Sequence, residues 1–322
     1  MRYGIVVHPV DVGETEALAT AAEQAQFTWL GVGDSPLLYQ EAFLHQMAVL
    51  RSTNRLLCGP FVTHFVARHP VAVASALSTL EAIAPGRVRV VAGSGNSAAR
   101  GLGLKPSSRA TLKEAFGLVR AVWNGEGGTW KGASVPATGR RSGASPPLFL
   151  AGDGPRMAAL SAEIADGYVY SGPSGRSLPE WLASAASPRW LALTATTAEN
   201  REAARVELGP MIAAMANRAL RSEESKALIP TALHADLGRL RNDYDYGYHA
   251  DVSRPRNSAY MSDSLWHCLL DELAIWGPPR NWANRIGALS CAFEGLMLVL
   301  PPGTSPTKVT LLGQRLREVM SR

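Results

Sequence analysis

Cysteine is scarce in these 322 residues: Cys58, Cys268 and Cys291 are the whole complement. An odd count without paired spacing excludes a disulfide framework. It predicts buried thiols in a reducing compartment, and therefore a cytoplasmic protein. No apolar run reaches the roughly 18–20 residues that a membrane span needs. Met1 leads almost directly into an apolar strand pattern at 3–7, with no leader-like stretch before it. Charged residues make up only 18% of the chain and the net charge is +5, and no Lys/Arg run reads as a nucleic-acid arm. Internal repeats and low-complexity tracts are absent. So is the G-x-S-x-G elbow of serine hydrolases. His64 and His69 are spaced like metal ligands, but no cysteine or carboxylate cluster completes a site, so no metal is expected.

What is present is an apolar content of 46%, enough for a large core, arranged as alternating strands and helices. Short apolar strand patterns fall at 3–7, 28–32, 56–63, 87–92, 147–151, 167–170, 190–196 and 296–300. Helical patterns fall between them at 14–26, 40–51, 70–84, 109–122, 155–165 and 198–220, with a closing helix at 308–320. Pro70 suits a first helical turn, where its missing N–H costs nothing, and Pro85-Gly86 ends that helix. Such alternation implies a parallel sheet. Eight strands fit one (β/α)8 barrel over 1–322, whose functional rim is the carboxyl end of the strands; a doubly wound open sheet is the competing arrangement.

Two stretches break the rhythm. Residues 125–147 are rich in Gly, Ser, Thr and Pro, with Arg140-Arg141, and read as a flexible excursion. Residues 221–290 form an insertion carrying Tyr244, Tyr246, Tyr248, Tyr260, Trp266, Trp276 and Trp282. It either shapes a substrate pocket or packs as a helical hairpin on the barrel side.

Collected at the strand ends are His8, Asp34, Thr63, His64, the Gly93-Ser94-Gly95-Asn96-Ser97 loop, Asp153-Gly154 and Ser171. Only a closed barrel makes these converge. The 93–97 loop and the Gly154-Pro155 helix start leave backbone N–H groups free for an anion. The 93–98 stretch also mimics a dinucleotide fingerprint, but it follows a late strand, and Glu114, the acid about 20 residues on, falls within a helix. Arg68-His69-Pro70 reads as a helix start.

The run R-L-L-C-G-P-F-V-T-H-F-V-A-R-H-P, with T-L-E-A-I-A-P-G-R and G-S-G-N-S-A after it, resembles the luciferase-like monooxygenase superfamily. Within it, the resemblance is to deazaflavin-dependent reductases of the methylenetetrahydromethanopterin reductase type. Ala151-Gly152-Asp153-Gly154-Pro155-Arg156-Met157 with Ala165-Asp166-Gly167 is similar to a second family motif, and 243–249 with Gly277-Pro278-Pro279 to a third. The likeness is good over 1–172 and thin beyond.

The resemblance implies an oxidoreductase that uses the deazaflavin coenzyme F-420 to deliver a hydride to a small unsaturated or imine-like substrate. An FMN-dependent oxygenase of the same superfamily and a non-catalytic ligand-binding barrel are the alternatives. It implies that Asp34 hydrogen-bonds the coenzyme ring, and that a bulge with a non-prolyl cis peptide at Phe61-Val62 backs it, beside Thr63. Gly93, Ser94, Gly95, Asn96, Ser97, Asp153, Gly154, Pro155 and Arg156 would hold the rest of the coenzyme. A polyanionic coenzyme suits the mild basic excess. The chain departs from the family at Ser35, where many deazaflavin dehydrogenases have histidine, at Ser94 and Asn96, where the family has Arg and Asp, and at His64, where it has Asn. His64, with an ordinary pKa near 6.5, or a tyrosine of the 244–249 stretch is the candidate general acid beside Asp34; were His64 only structural, the role would pass to Tyr244, Tyr246 or His249. His8, Tyr244, Tyr246 and His249 are candidate substrate contacts. A homodimer is expected, with neither nucleic acid nor membrane as partner.

Overall fold

The computed structural model describes residues 1–139, 145–249, 251 and 253–320. The chain runs β1 (Arg2–Val7), α1 (Val12–Gln24), β2 (Trp29–Val32), α2 (Ala42–Ser52), β3 (Leu57–Thr63), α3 (Pro70–Ile83) and β4 (Val90–Ala92). Then come α4 (Asn96–Gly101), α5 (Arg109–Trp123), the hairpin β5 (Gly128–Trp130) and β6 (Ala133–Val135), β7 (Leu148–Ala151), α6 (Pro155–Ile164) and β8 (Gly167–Tyr170). The second part carries β9 (Arg189–Ala195), α7 (Arg201–Ala219), α8 (Glu223–Lys226), α9 (His234–Asn242), α10 (Asp263–Leu273), β10 (Ala274–Ile275), α11 (Pro279–Leu289), β11 (Gly295–Val299) and α12 (Pro306–Met320).

All strands of the main sheet run parallel, in the order β1-β2-β3-β4-β7-β8-β9-β11. β11 returns to β1 in register from Arg2↔Gly295 to Val6↔Val299, which closes the ring. The expected (β/α)8 barrel is therefore the observed fold. β10 is an addition that the sequence pattern does not predict; it pairs with the carboxyl end of β9 at Thr194 and Ala195.

Both faces of each strand are buried, as parallel sheets require. Ile5, Val7, Leu30 and Val32 point outward into the shell of helices. Val6, Trp29, Phe61, Phe149, Trp190 and Met297 fill the barrel interior. Trp29 sits at its centre, with ring centroids 4.9 Å from Trp190, 5.6 Å from Phe149 and 5.9 Å from Phe61. Gly31 makes this possible, because a Cβ there would lie 2.5 Å from that of Phe61.

Several expectations need correction. The 125–147 stretch, expected as a flexible excursion, holds the β5–β6 hairpin where it is described, with Trp130 buried against the core and edge-on to His69. Arg140-Arg141 lie outside the described residues. The 221–290 insertion ends earlier than its composition suggests. Trp282, on α11, belongs to the main core, whereas Tyr244 and Trp266 join α7, α9 and α10 in a separate apolar cluster. Cys58 and Cys268 are buried as expected, but Cys291 is exposed.

Glycine at 59 and at 117 should behave oppositely. An added Cβ at Gly59, in β3, would lie 1.6 Å from the Arg89 carbonyl oxygen, so β3 and the chain entering β4 would have to part. Gly117, inside α5, has nothing within 4 Å of that position. We expect Gly59→Ala to lower the melting temperature by at least about 5 °C or to prevent folding. Gly117→Ala should stabilise by about 0.5–1 kcal/mol through helix propensity. Calorimetry of both variants checks this; equal behaviour would contradict the packing of β3 on β4.

Candidate active site

The carboxyl rim encloses a cavity of about 520 Å³. Its floor is apolar: Val6, Phe61, Val62, Val169, Ala192 and Val299. Phe61-Val62 is a non-prolyl cis peptide, and the β3–β4 register slips between Phe61 and Thr63, so the bulge implied by the resemblance is present. Polar groups from several strand ends stand around this floor.

Asp34, at the end of β2, lines the cavity with its side chain almost fully buried (1% exposed). It caps no helix: α2 is capped by Glu41, which accepts from the Phe43 amide. Instead, Arg68 Nη1 donates to Asp34 Oδ1 at 2.9 Å and Oδ2 at 2.8 Å, and Thr63 Oγ1 donates to Oδ2 at 2.7 Å. Arg68 Nη2 donates to Glu41 Oε2 at 2.6 Å, and the guanidinium lies over Phe43. Burial works against the Arg68 cation, but Asp34 and Glu41 outweigh it and raise its pKa. The expectation for Arg68-His69-Pro70 holds only for its last two residues: the His69 side chain accepts from the Val71 amide and Pro70 opens α3. Arg68 turns back to the site, a role that sequence spacing does not reveal.

Thr63 and His64 do not line the cavity. Both are fully buried. His64 Nδ1 faces the amides of Val66 and Ala67 at 3.4 and 3.5 Å, and its Nε2 is buried without a partner among the described residues. Burial lowers its pKa. Gly95 covers it, with φ +78° and a hypothetical Cβ only 2.7 Å from the His64 Cβ. The expected role of His64 as a general acid therefore loses its geometric basis.

The 93–97 loop does line the cavity, and it runs straight into α4, a short helix not expected from the sequence. Asn96 is already engaged by Arg100, and Ser97 by Ser35. Asp153 does not cap α6 with its side chain. Its carboxylate accepts from the Ser171 amide at 2.9 Å and hydroxyl at 2.7 Å, and Arg218 lies 3.5 Å away. Gly154 is the N-cap, and Pro155 and Arg156 follow on the cavity edge.

The mouth is basic. Arg109, Arg156 and Arg221 line it, and among the described residues none of the three is salt-bridged to a carboxylate. Arg221 is held by neutral groups, donating to the Tyr246 hydroxyl and to Asn217 Oδ1, each at 3.0 Å. Glu224 is the one acid on this side of the lining among the described residues.

The wall between floor and mouth is aromatic and neutral. His8 stacks on Tyr39 at 4.8 Å; the Leu300 backbone lies beside the His8 ring and works to raise its pKa, and the Tyr39 hydroxyl is buried without a partner among the described residues. His249 lines the same cavity, with Nδ1 2.6 Å from the Tyr244 hydroxyl. Tyr244 and Tyr246 themselves stand behind it, outside the lining. Among the described residues no group of His, Cys, Asp and Glu is arranged to hold a metal, and no helix is long and apolar enough to cross a membrane.

Residues 3–292 match the luciferase-like monooxygenase family. The chain belongs to that family. It is 34% identical over 179 residues to the F420-dependent glucose-6-phosphate dehydrogenase of Beutenbergia cavernae, covering 50% of this chain and 53% of that protein. It is 24% identical over 318 residues, 91% of each chain, to the 5,10-methylenetetrahydromethanopterin reductase of Archaeoglobus fulgidus. The match spans about half the length of the dehydrogenases it resembles. The coenzyme F420-dependent tetrahydromethanopterin reductase of Methanopyrus kandleri has the same fold, with a TM-score of 0.70 at 18% identity over 98% of this chain and 97% of that one.

The two histidines of the wall give a pH prediction. Burial pushes the pKa of His8 down to about 4; burial first, then His8 and Arg218, does the same to His249. In the unfolded chain both return to about 6.5. Between those values the unfolded state binds more protons, so their contribution to stability is present above about pH 6.5 and is lost as pH falls toward 4. In a proton NMR titration, neither ring should titrate above about pH 5.5. A midpoint near 6.5 for either would contradict a buried neutral pair.

Proposed function

We propose that this luciferase-like chain is an oxidoreductase that takes up the deazaflavin coenzyme F420 and uses it for hydride exchange with a small unsaturated or imine-like substrate. The observation that carries the reading is the division of the cavity into an apolar floor and a mouth where three arginines stand against one acid, Glu224, with no salt bridge to any of the three among the described residues. One phosphate would not need three cations; a coenzyme with a phosphodiester and a glutamate tail would. The relatives with F420 in their names support the same choice over FMN. The residues present fit the group. Phe61 and Val62 offer its ring an apolar bed, Asp34 an acceptor, Gly93–Ser97 and Gly154–Arg156 a close backbone approach, and the arginines charge.

The coenzyme supplies the hydride. This chain's residues orient, exclude water and manage a proton. Tyr39 carries an orphaned hydroxyl, which costs stability when left unpaired and favours a ligand that satisfies it. With His8 it would grip the heteroatom of the substrate. With His64 walled off, the role of proton donor falls to His249. When its Nδ1 accepts from Tyr244, the neutral ring carries its proton on Nε2; as Nε2 gives that proton to the substrate, Nδ1 takes the tyrosine's, and a proton from solvent restores the Tyr244 hydroxyl, whose burial strongly favours the neutral phenol. This imidazole from the insertion stands in for the histidine that many deazaflavin dehydrogenases carry after the acid, where this chain has Ser35. Exposed Leu44 and Met47, one turn apart on α2, support a homodimer through that helix, and the exposed free thiol of Cys291 supports a cytoplasmic setting.

Fluorescence titration tests the coenzyme assignment: F420 should bind at least about tenfold tighter than FMN, and salt should weaken it. Tighter binding of FMN would replace this reading with the oxygenase one. For the proton, His249→Asn should lower turnover of an unsaturated ketone probe, such as 2-cyclohexen-1-one, by about 10²-fold while coenzyme affinity changes little. His64→Asn should leave turnover within about threefold. The reverse ranking would return the acid role to His64.

A further inference from the structure

The Arg-His-Pro motif is more than a helix start, and the use made of its arginine is specific. Arg68 comes from the loop between β3 and α3, yet its guanidinium spans two carboxylates beyond the end of β2, Asp34 and Glu41. It is mostly buried, at 18% exposure, and it lies over the Phe43 ring, so its orientation is fixed on three sides. The donors on Asp34 are unequally shared. Oδ2 accepts from both Thr63 and Arg68, whereas Oδ1 accepts from Arg68 alone. A carboxylate oxygen has room for two donors. Asp34 therefore faces the cavity with one oxygen saturated and one half-filled.

We propose that Arg68 is a positioning residue for the coenzyme, acting wholly through Asp34: with Thr63 it turns the carboxylate so that Oδ1 remains as the single acceptor offered to a ligand N–H or O–H. This rests on the reading of the cavity as a coenzyme site. Three physical points support it. A guanidinium fork can hold Asp34 and Glu41 at once, which an ammonium cannot do in a fixed plane. Removing one partner from a nearly buried pair leaves the other charge uncompensated. The outer partner, Glu41, also caps α2 through its other oxygen, Oε1, so the helix start and the ring acceptor share one chain of bonds.

The test is a double-mutant cycle read as coenzyme affinity, with F420 fluorescence as the signal and no substrate required. Arg68→Gln and Asp34→Asn should each weaken F420 binding about tenfold. The double variant should be no more than about twofold weaker than Asp34→Asn alone, because Arg68 has no contact of its own to lose. Arg68→Lys should fall between wild type and Arg68→Gln. If Arg68→Gln fails to fold, Glu41→Gln serves instead: it frees the outer end of the guanidinium, should cost a few-fold in affinity, and should cost nothing further once Asp34 is Asn. Wild-type affinity in Arg68→Gln would overturn the proposal, and so would losses that multiply in the double variant, since a merely structural arginine would add its cost independently. A wild-type chain that binds neither F420 nor FMN would instead overturn the coenzyme reading, and this proposal with it.

Discussion

The parallel pairing of β11 with β1 is the constraint on which the site depends. Five register pairs, from Arg2↔Gly295 to Val6↔Val299, convert a row of strand ends into a ring. Along an open sheet, His8 and Asp34 would lie far from Asp153 and Gly154. In the ring, they face one cavity. The interior below is filled by Trp29, Trp190, Phe149 and Phe61, so the barrel is solid beneath the cavity, which opens at the carboxyl end. Closure also explains why the polar residues of the strand ends gather in one place: the rim is where strands end and side chains can meet without being packed between layers.

Within the cavity, charge is sorted by whether it is paired. Asp34 and Asp153 are both acids at strand ends; Asp34 is neutralised from outside the lining by Arg68, and Asp153 within the lining by Arg218, with Ser171 donating a hydrogen bond to it. Arg109, Arg156 and Arg221 are left facing the mouth. The polar wall made by His8, Tyr39 and His249 stays neutral because burial disfavours the imidazolium forms. A ligand thus meets an apolar bed, a neutral hydrogen-bonding wall and a cationic entrance, and these are three separate recognition tasks on one rim.

Much of this is legible in the sequence, for identifiable reasons. The eight barrel strands can be read because short apolar runs bounded by Gly and Pro alternate with helical periodicity, and the cavity loops because they follow those strands directly. The Phe61-Val62 bulge is signalled only by family likeness, since nothing in an ordinary β pair announces it. Other features stay hidden because they depend on long-range partners. Arg68 reaches back 34 residues to Asp34, and no local pattern encodes that. His64 has the sequence position of an exposed strand end, but Gly95, in a left-handed conformation, lies over it. Tyr244, Tyr246 and His249 are equivalent in sequence; the turn at 246–248 presents only the histidine to the cavity. The β5–β6 hairpin escapes a pattern-based reading because its strands are three residues each, in a Gly-rich stretch.

The central claim is that a deazaflavin coenzyme lies in this cavity with its ring on the β3 bulge and its anionic tail at the arginines. A crystal structure of the chain soaked with F420 tests it most directly. The account predicts ring density over Phe61-Val62 within hydrogen-bond reach of Asp34 Oδ1, and phosphate density among Arg109, Arg156 and Arg221. Density for the ring at the mouth with the tail inward, or coenzyme bound outside the cavity, would contradict it.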